Sequence, residues 1–207
     1  MSLIIVDSYS ESNYDSWFYY RSGTEKGSHS FTGKAGNLVS CKWFLRKWGS
    51  PTGNIVAKLY AHSGVFGISS IPTGEPLAVS NTIDIATISI YWSLIIFDFV
   101  GANQFIFIDG VKYCISIEFS GGDASNYLKV GADMTSPTHP GNIADYYEGN
   151  WVLYPDRDFI FYVYAEETRD PFVTLSVEKR IKSLTVQELQ TDLSIEKRLI
   201  DLDIQKK

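Results

Sequence analysis

The sequence predicts an all-β fold, an antiparallel β-sandwich with jelly-roll-like connections, followed by a short repeat tail. Aromatic residues make up 14% of the chain, and 16 glycines against only two methionines favour sheets joined by tight turns. Short β-type runs alternate with turn signals through the first 165 residues. Strong apolar spacing of three and four residues is missing there, so the pattern indicates neither a crossover helix nor a parallel sheet.

The predicted strands follow one another in short runs. They cover residues 16–21, 38–48, 54–61, 93–100, 104–109, 112–119, 126–133 and 158–165, which with weaker segments gives about eight to ten strands. Residues 49–54, 109–110 and 121–126 supply Gly, Asn and Asp for hairpin turns. Residues 61–78, rich in Gly and Pro, predict a compact loop that covers an open end of the sandwich.

Composition divides the chain into two parts. Residues 1–165 contain all 16 glycines and all five tryptophans, which predicts a β-sandwich head at 1–165 and a repeat tail at 166–207. The formal net charge of -6 and the lack of a basic stripe argue against nucleic-acid binding. The first residues lack a basic region, and no apolar run approaches the ~20 residues of a membrane span, so we expect no signal peptide and no membrane insertion.

The tail repeats every nine residues, with Leu-x-Val/Ile opening each unit. Nine residues place successive units on opposite faces of one helix or one strand, so the repeat favours a short strand followed by a bend; a two-faced helix stays open as the alternative. In either geometry its apolar side chains need cover from another chain or from the head. We therefore expect a homo-oligomer assembled through Leu175, Val177, Leu184, Val186, Leu193, Ile195, Leu202 and Ile204.

Residues with catalytic or metal-binding chemistry are sparse. His29, His62 and His139 stand in Gly/Ser/Pro-rich segments without metal-ligand spacing, so no metal and no cofactor is expected. The segment 27–36 misses the spacing of a phosphate-binding loop and predicts a β-turn. The carboxylates are scattered singly, so no enzyme is predicted. Cys41 and Cys114 fall on opposite strand faces, which favours two separate thiols and leaves their pairing open.

A binding surface is the better-supported kind of site. Residues 143–156 predict a loop and an edge that concentrate aromatic rings beside amide and carboxylate groups. Such rings suit the apolar C–H faces of sugars, and the polar groups suit the hydroxyls. The candidate sugar-binding residues are Asp145, Tyr146, Tyr147, Asn150, Trp151 and Tyr154.

Three longer segments also carry a family resemblance. WFLRKWGSPTGNIVAKLYAHSGVFGISSIPTGEPLAVS, SGGDASNYLKVGADMTSPTHPGN and the closing RDFIFYVYA resemble uncharacterised β-sandwich domains of bacteriophage, archaeal-virus and environmental proteins, close to the choice-of-anchor domains of surface proteins. The likeness covers roughly residues 15–165. It implies a sandwich fold and a virion or extracellular setting, and it brings no catalytic residues.

Together these observations predict a non-enzymatic structural or adhesion protein of a virion or an extracellular filament. Its β-sandwich head would stand on an oligomerising repeat stalk. The alternative is a carbohydrate-binding module whose partner is a cell-surface glycan. The identity of the ligand and the number of subunits are open at this point.

Overall fold

The computed structural model describes residues 2–167, which are all-β and form two antiparallel sheets. Short 3-10 helices at Glu11–Asn13, Ile85–Thr87 and Gly101–Asn103 interrupt the strands. The strands are β1 Leu3–Tyr9, β2 Ser16–Tyr20, β3 Lys26–Thr32, β4 Gly36–Trp48, β5 Asn54–Ser63, β6 Ile71–Val79, β7 Ile83–Asp84, β8 Ser93–Asp98, β9 Ile106–Phe107, β10 Lys112–Phe119, β11 Tyr127–Asp133, β12 Ile143–Tyr147, β13 Asn150–Tyr154, β14 Asp158–Phe159 and β15 Phe161–Glu166.

Each sheet ends in a strand that matters for the candidate site. The eight-stranded sheet has the order β1-β15-β4-β11-β14, with β2 paired to β11 and with β8 and β9 paired to β4. The seven-stranded sheet has the order β13-β12-β3-β10-β5-β6, with β7 paired to β5. Within the described residues, β2 pairs with β11 alone and β13 pairs with β12 alone, so both are edge strands.

The core lies between the sheets and follows the two-residue alternation of the strands. On β4, Trp43 and Leu45 point inward and are fully buried, and on β10, Ile115 and Ile117 do the same. Each such side chain contributes roughly 1.5 to 3 kcal/mol of hydrophobic stabilisation before entropy. The predicted antiparallel sandwich is confirmed at this level, as two antiparallel sheets around one apolar core.

Alternation fails at one point of β4. The sequence places Val39 on the inward face with Cys41, but the register against β15 shifts between Tyr164 and Ala165, and Leu38 takes the fully buried place. A bulge adds one residue to one strand and so reverses which residues face the core.

Two predicted loops are strands. The segment 27–36, predicted as a β-turn, contributes β3, which pairs with β10 on one side and β12 on the other. The small Ser28 and Ser30 side chains face outward from it and are almost fully buried, whereas His29 faces the core. The predicted compact loop at 61–78 is correct only for residues 64–70, because 61–63 end β5 and Ile71–Val79 forms β6, which pairs with β5.

The cysteines are separate thiols, as the alternation predicts. Cys41 faces the core of the sandwich and Cys114 faces outward from β10, and both are buried and free. Burial raises the pKa of the Cys114 thiol to about 12 and that of Cys41 further, so neither carries the thiolate needed for nucleophilic chemistry at neutral pH.

The repeat tail is not described beyond its first two residues. β15 ends at Glu166, and the eight predicted assembly residues between Leu175 and Ile204 all lie outside the described residues. In residues 2–167 there is no helix with the length and apolar character that a membrane span requires.

Candidate functional site

The segment predicted as a loop and an edge is a β-hairpin. β12 and β13 pair from Ile143 and Tyr154 to Tyr147 and Asn150. The two turn residues, Glu148 and Gly149, have φ of 47° and 86°, which are the paired positive values of a type I′ turn. That turn favours Asn-Gly or Asp-Gly, so the Glu at its first position hides the hairpin from sequence inspection.

The hairpin separates the predicted sugar-binding residues into two groups. Tyr146 and Trp151 are paired across the strands on one face, with their ring centroids 5.1 Å apart. Asp145, Tyr147 and Tyr154 lie on the other face, where they line a pocket that Tyr146 and Trp151 do not reach. The sixth residue, Asn150, lies at the turn, and its Nδ2 donates a hydrogen bond to the Glu148 carbonyl at 3.3 Å.

The first candidate site, here called the edge pocket, opens between the edge strands β2 and β13. It has a volume of about 510 Å³, which is within the usual range for small-ligand sites. Aromatic side chains make up half of its lining residues, and one carboxylate and one guanidinium supply charge. Its lining includes Trp17, Phe18, Asp145, Tyr147, Tyr154 and Arg157.

Asp145 is the electrostatically unusual residue of the edge pocket. Its side chain is 8% exposed, and its buried Oδ1 has no hydrogen-bond partner among the described residues. Desolvation by burial raises its pKa from 3.8 to about 6, although the nearby Tyr20 hydroxyl opposes the change. Tyr20 is itself buried with an unpaired hydroxyl, so no hydrogen bond of ordinary geometry joins the two. The fold therefore holds a carboxylate with unused acceptor capacity beside a pocket.

Arg157 borders the same pocket and is held by aromatic rings. Its Cζ lies 4.6 Å from the Tyr154 ring centroid and 5.8 Å from that of Phe18. Its contact with the exposed Asp156 is long, at 3.9 Å between Nε and Oδ1, so that ion pair is weak. Most of the guanidinium donors are thus available to a ligand.

A second pocket, here called the face pocket, lies on the outer face of the seven-stranded sheet. It has a volume of about 420 Å³ and includes Tyr146 in its lining. Two of its charged groups pair with each other: Lys58 Nζ donates to Glu118 at 2.6 Å, and the Tyr60 hydroxyl donates to the same carboxylate at 2.8 Å. Lys26 Nζ lies 4.3 Å from the Tyr146 ring centroid. None of the described residues that line this pocket has a buried polar atom without a partner, whereas Asp145 of the edge pocket has one.

Two histidines meet inside the sandwich, contrary to the expectation from their spacing. Ligand atoms of His29, His139 and Asp158 lie within 4.8 Å of one another, as they would around a metal ion. However, Gly141 N–H donates to His139 Nδ1 at 3.0 Å, so the neutral ring carries its hydrogen on Nε2, which donates to Asp7 at 3.2 Å. That nitrogen has no free lone pair for a cation.

His29 completes this buried network. Its Nδ1 is 3.0 Å from the Ser30 carbonyl and its Nε2 is 3.2 Å from Asp158 Oδ1, and both of these oxygens are acceptors. A neutral imidazole donates only one hydrogen bond, so a neutral His29 donates to one of these two oxygens. Burial opposes the charged ring and lowers the pKa of His29. We describe the cluster as a hydrogen-bond network that ties β3 to β14.

Several residues of the edge pocket escape sequence reasoning. Trp17 and Phe18 stand on β2, and Arg157 precedes β14, so they meet the β12–β13 hairpin only after both sheets have formed. Only the 43% exposure of the Trp17 side chain marks it as unusual, and exposure is a property of the folded chain.

Comparison with known proteins identifies no family for the chain. No protein-family model matches it, and a search of curated proteins finds no match. A structure of the cysteine protease and lectin-like domains of a surface-layer-associated protein of Clostridium difficile has a TM-score of 0.43 and 11% identity, covering 78% of this chain and 37% of that one. The VP2 subviral particle of infectious bursal disease virus has a TM-score of 0.26 and 15% identity, covering 81% and 37%. At these TM-scores neither structure supports a conclusion about this chain.

Proposed function

We propose that the head is a non-enzymatic adhesion module that binds a glycan in the edge pocket. The observation that carries the proposal is the Asp145 carboxylate, which is nearly buried, lacks a hydrogen-bond partner at Oδ1, and borders a pocket with aromatic walls. A buried acceptor without a partner is costly in a folded protein, and a ligand that donates hydrogen bonds removes that cost.

The other walls of the pocket fit a sugar better than a wholly apolar ligand. Tyr154, Tyr147 and Trp17 offer flat faces to the C–H side of a pyranose ring. Asp145 would accept hydrogen bonds from ring hydroxyls, and Arg157 would donate to hydroxyl or ring oxygens. Within the described lining of this pocket, Asp145 is the one carboxylate, whereas glycoside hydrolysis needs a pair. This favours binding over catalysis.

The setting and assembly of the protein belong to the same proposal. We place the head, with jelly-roll-like connections, on a virion or an extracellular filament, and we assign homo-oligomer formation to the tail. The test of assembly uses the full chain: light scattering should give a multiple of the chain mass, and Leu184→Asp with Leu193→Asp should reduce it to one chain. Thr185→Asp with Thr191→Asp adds the same two charges at polar tail positions and is the control. A single-chain mass for the unaltered protein would refute the assembly role.

Glycan binding is tested with the full chain on an array of oligosaccharides and then by titration with tryptophan fluorescence, since Trp17 lines the pocket. We expect Tyr154→Ala and Asp145→Asn each to weaken binding about tenfold or more, corresponding to ~1.4 kcal/mol. The exposed Tyr91→Ala is the control for loss of a tyrosine.

A further variant distinguishes the two pockets. Trp151 lies on the opposite face of the hairpin from Tyr154, beside Tyr146. Trp151→Ala should therefore leave glycan binding in the edge pocket nearly unchanged. If Trp151→Ala abolished binding and Tyr154→Ala did not, the ligand would lie in the face pocket and the proposed site would be wrong.

A further inference from the structure

The outer face of the eight-stranded sheet holds two neighbouring cations. Lys129 on β11 is directly opposite Arg46 on β4 in the antiparallel register. Like charges in that arrangement repel and destabilise a sheet. No ion pair to either residue occurs within residues 2–167. Both cations are thus left without the carboxylate that normally accompanies them.

The burial of these cations makes the arrangement more costly. The Lys129 residue is only 5% exposed, and Arg46 Nε is buried without a hydrogen-bond partner in the described part of the chain. Desolvation by burial, followed by repulsion from Arg46, lowers the pKa of Lys129. An anion placed between the two side chains would offset both effects.

Tryptophan rings surround the two cations and stabilise them in part. Lys129 Nζ lies 4.1 Å from the Trp17 ring centroid and 4.6 Å from that of Trp48. Arg46 Cζ lies 5.3 Å from the centroids of Trp48 and Trp92. Cation–π contacts of this kind stabilise a cation that has lost part of its water. We refer to these five residues, Trp17, Arg46, Trp48, Trp92 and Lys129, as the cation–aromatic face.

This face also presents apolar surface to solvent. Trp17 is 43% exposed and Trp48 is 47% exposed, so flat rings flank the cations at the surface. Trp17 lines the edge pocket as well, which makes the two features continuous. A ligand that fits must combine an anionic group with an apolar ring face.

We infer that the cation–aromatic face binds the carboxylate of an acidic sugar residue. The guanidinium of Arg46 suits a carboxylate, Lys129 adds a second positive charge, and Trp17 or Trp48 packs against the sugar ring. That the ligand is a sugar rests on the proposed glycan-binding function. That the ligand is negatively charged rests on the pair of cations. One carboxylate satisfies the pair, whereas a nucleic-acid backbone needs a basic stripe and would be repelled by the net charge of -6.

The test compares one sugar with and without its charge. The full chain is titrated with an oligosaccharide of galacturonic acid and with the methyl ester of the same oligosaccharide, followed by tryptophan fluorescence and calorimetry. We expect the acid to bind about tenfold or more tightly than the ester, with a preference that decreases as salt is added.

Variants then assign the preference to the face. Lys129→Met and Arg46→Gln should each remove most of the preference for the acid, and Arg46→Lys should keep part of it because the charge remains without the planar guanidinium. Lys34→Met removes a charge at an exposed position elsewhere and is the control. Far-ultraviolet circular dichroism and thermal melting establish that each variant folds.

The outcomes separate this inference from the proposed function. Equal affinity for the acid and the ester overturns the acidic-sugar inference and leaves glycan binding intact. A preference that persists in folded Lys129→Met and Arg46→Gln places the anion elsewhere and also overturns it. If no oligosaccharide of any charge binds on the array or in titration, the proposed function itself fails. Competition by inorganic phosphate as strong as by the oligosaccharide would show an anion site without sugar recognition and would refute the inference.

Discussion

Replacing Asp145 by asparagine should stabilise the fold at neutral pH while it weakens ligand binding. The pKa of Asp145 rises from 3.8 to about 6 because burial removes water from the carboxylate. One pKa unit corresponds to about 1.36 kcal/mol, so the ionised form destabilises the folded state by about 3 kcal/mol. An asparagine amide leaves some hydrogen-bonding groups unpaired, which reduces the gain, and we expect about 1 to 3 kcal/mol.

The sign of the pH dependence follows from the same pKa. Between 3.8 and about 6 the folded chain holds a proton on Asp145 that the unfolded chain has lost, so the contribution of this residue to stability increases as pH falls through that window. The advantage of Asp145→Asn should therefore be largest near pH 7.5 and small near pH 4, where the carboxyl is protonated in the folded chain and about half protonated in the unfolded chain.

Urea unfolding followed by tryptophan fluorescence at both pH values measures this difference. Asp109→Asn, at an exposed turn position, is the matched control and should change stability little at either pH. A variant that is less stable than the unaltered chain at pH 7.5 by an amount that does not change at pH 4 would refute the reasoning, because the carboxylate would then be stabilised by partners.

Three other predictions concern neighbouring features. Glu148→Asn should stabilise the hairpin by about 1 kcal/mol, measured by thermal melting, because Asn tolerates the positive φ of 47° better than Glu; a loss of stability would contradict this. Gly27→Ala should destabilise by several kcal/mol in urea unfolding, because its Cβ would overlap the buried Tyr20 hydroxyl; a neutral result would mean that the ring moves freely. Burial tends to raise the pKa of Asp7, but hydrogen bonds from His139 and from the backbone outweigh it, so the pKa is lowered. The contribution of Asp7 to the free energy of unfolding is therefore lost as pH falls below 3.8, and Asp7→Asn should reduce the dependence of stability on pH in that range.

The sequence predicts the strands in which apolar and polar side chains alternate, and it misses those in which they do not. β10 and most of β4 are evident because large apolar residues recur at every second position. β3 has Gly, Ser and His in place of branched residues, since its outward side chains must be small and its inward His29 belongs to a polar network. The pattern that identifies a strand is therefore weakest where the strand carries hydrogen-bonded polar groups.

The candidate site was predictable in composition and not in arrangement. Aromatic density in 143–156 indicates a binding surface, but a linear segment does not show which residues share a face until the turn is located. Glu148 and Gly149 form that turn, and the two-residue period then sends Tyr146 and Tyr147 to opposite sides. β2 forms the other wall of the edge pocket. Its sequence does not indicate that it is an edge strand facing β13.

The buried charged groups of the described chain differ in whether another group of the protein pairs with them. His29 with Asp158 and Lys58 with Glu118 are each paired through hydrogen bonds within the sandwich or on its far sheet. By contrast, three features around β2 and the hairpin beside it lack a hydrogen-bonded or oppositely charged partner or are strained: a carboxylate oxygen of Asp145, the opposed cations of the cation–aromatic face, and Glu148 in the hairpin turn. Natural folds keep such costs mainly where a ligand or a reaction requires them. Ser28 Oγ and Trp43 Nε1 are also buried without a partner in the described chain, but both belong to uncharged side chains. The charged groups adjoin one pocket and one contiguous surface that share Trp17. The side of the sandwich bounded by β2 is therefore where binding should be sought first.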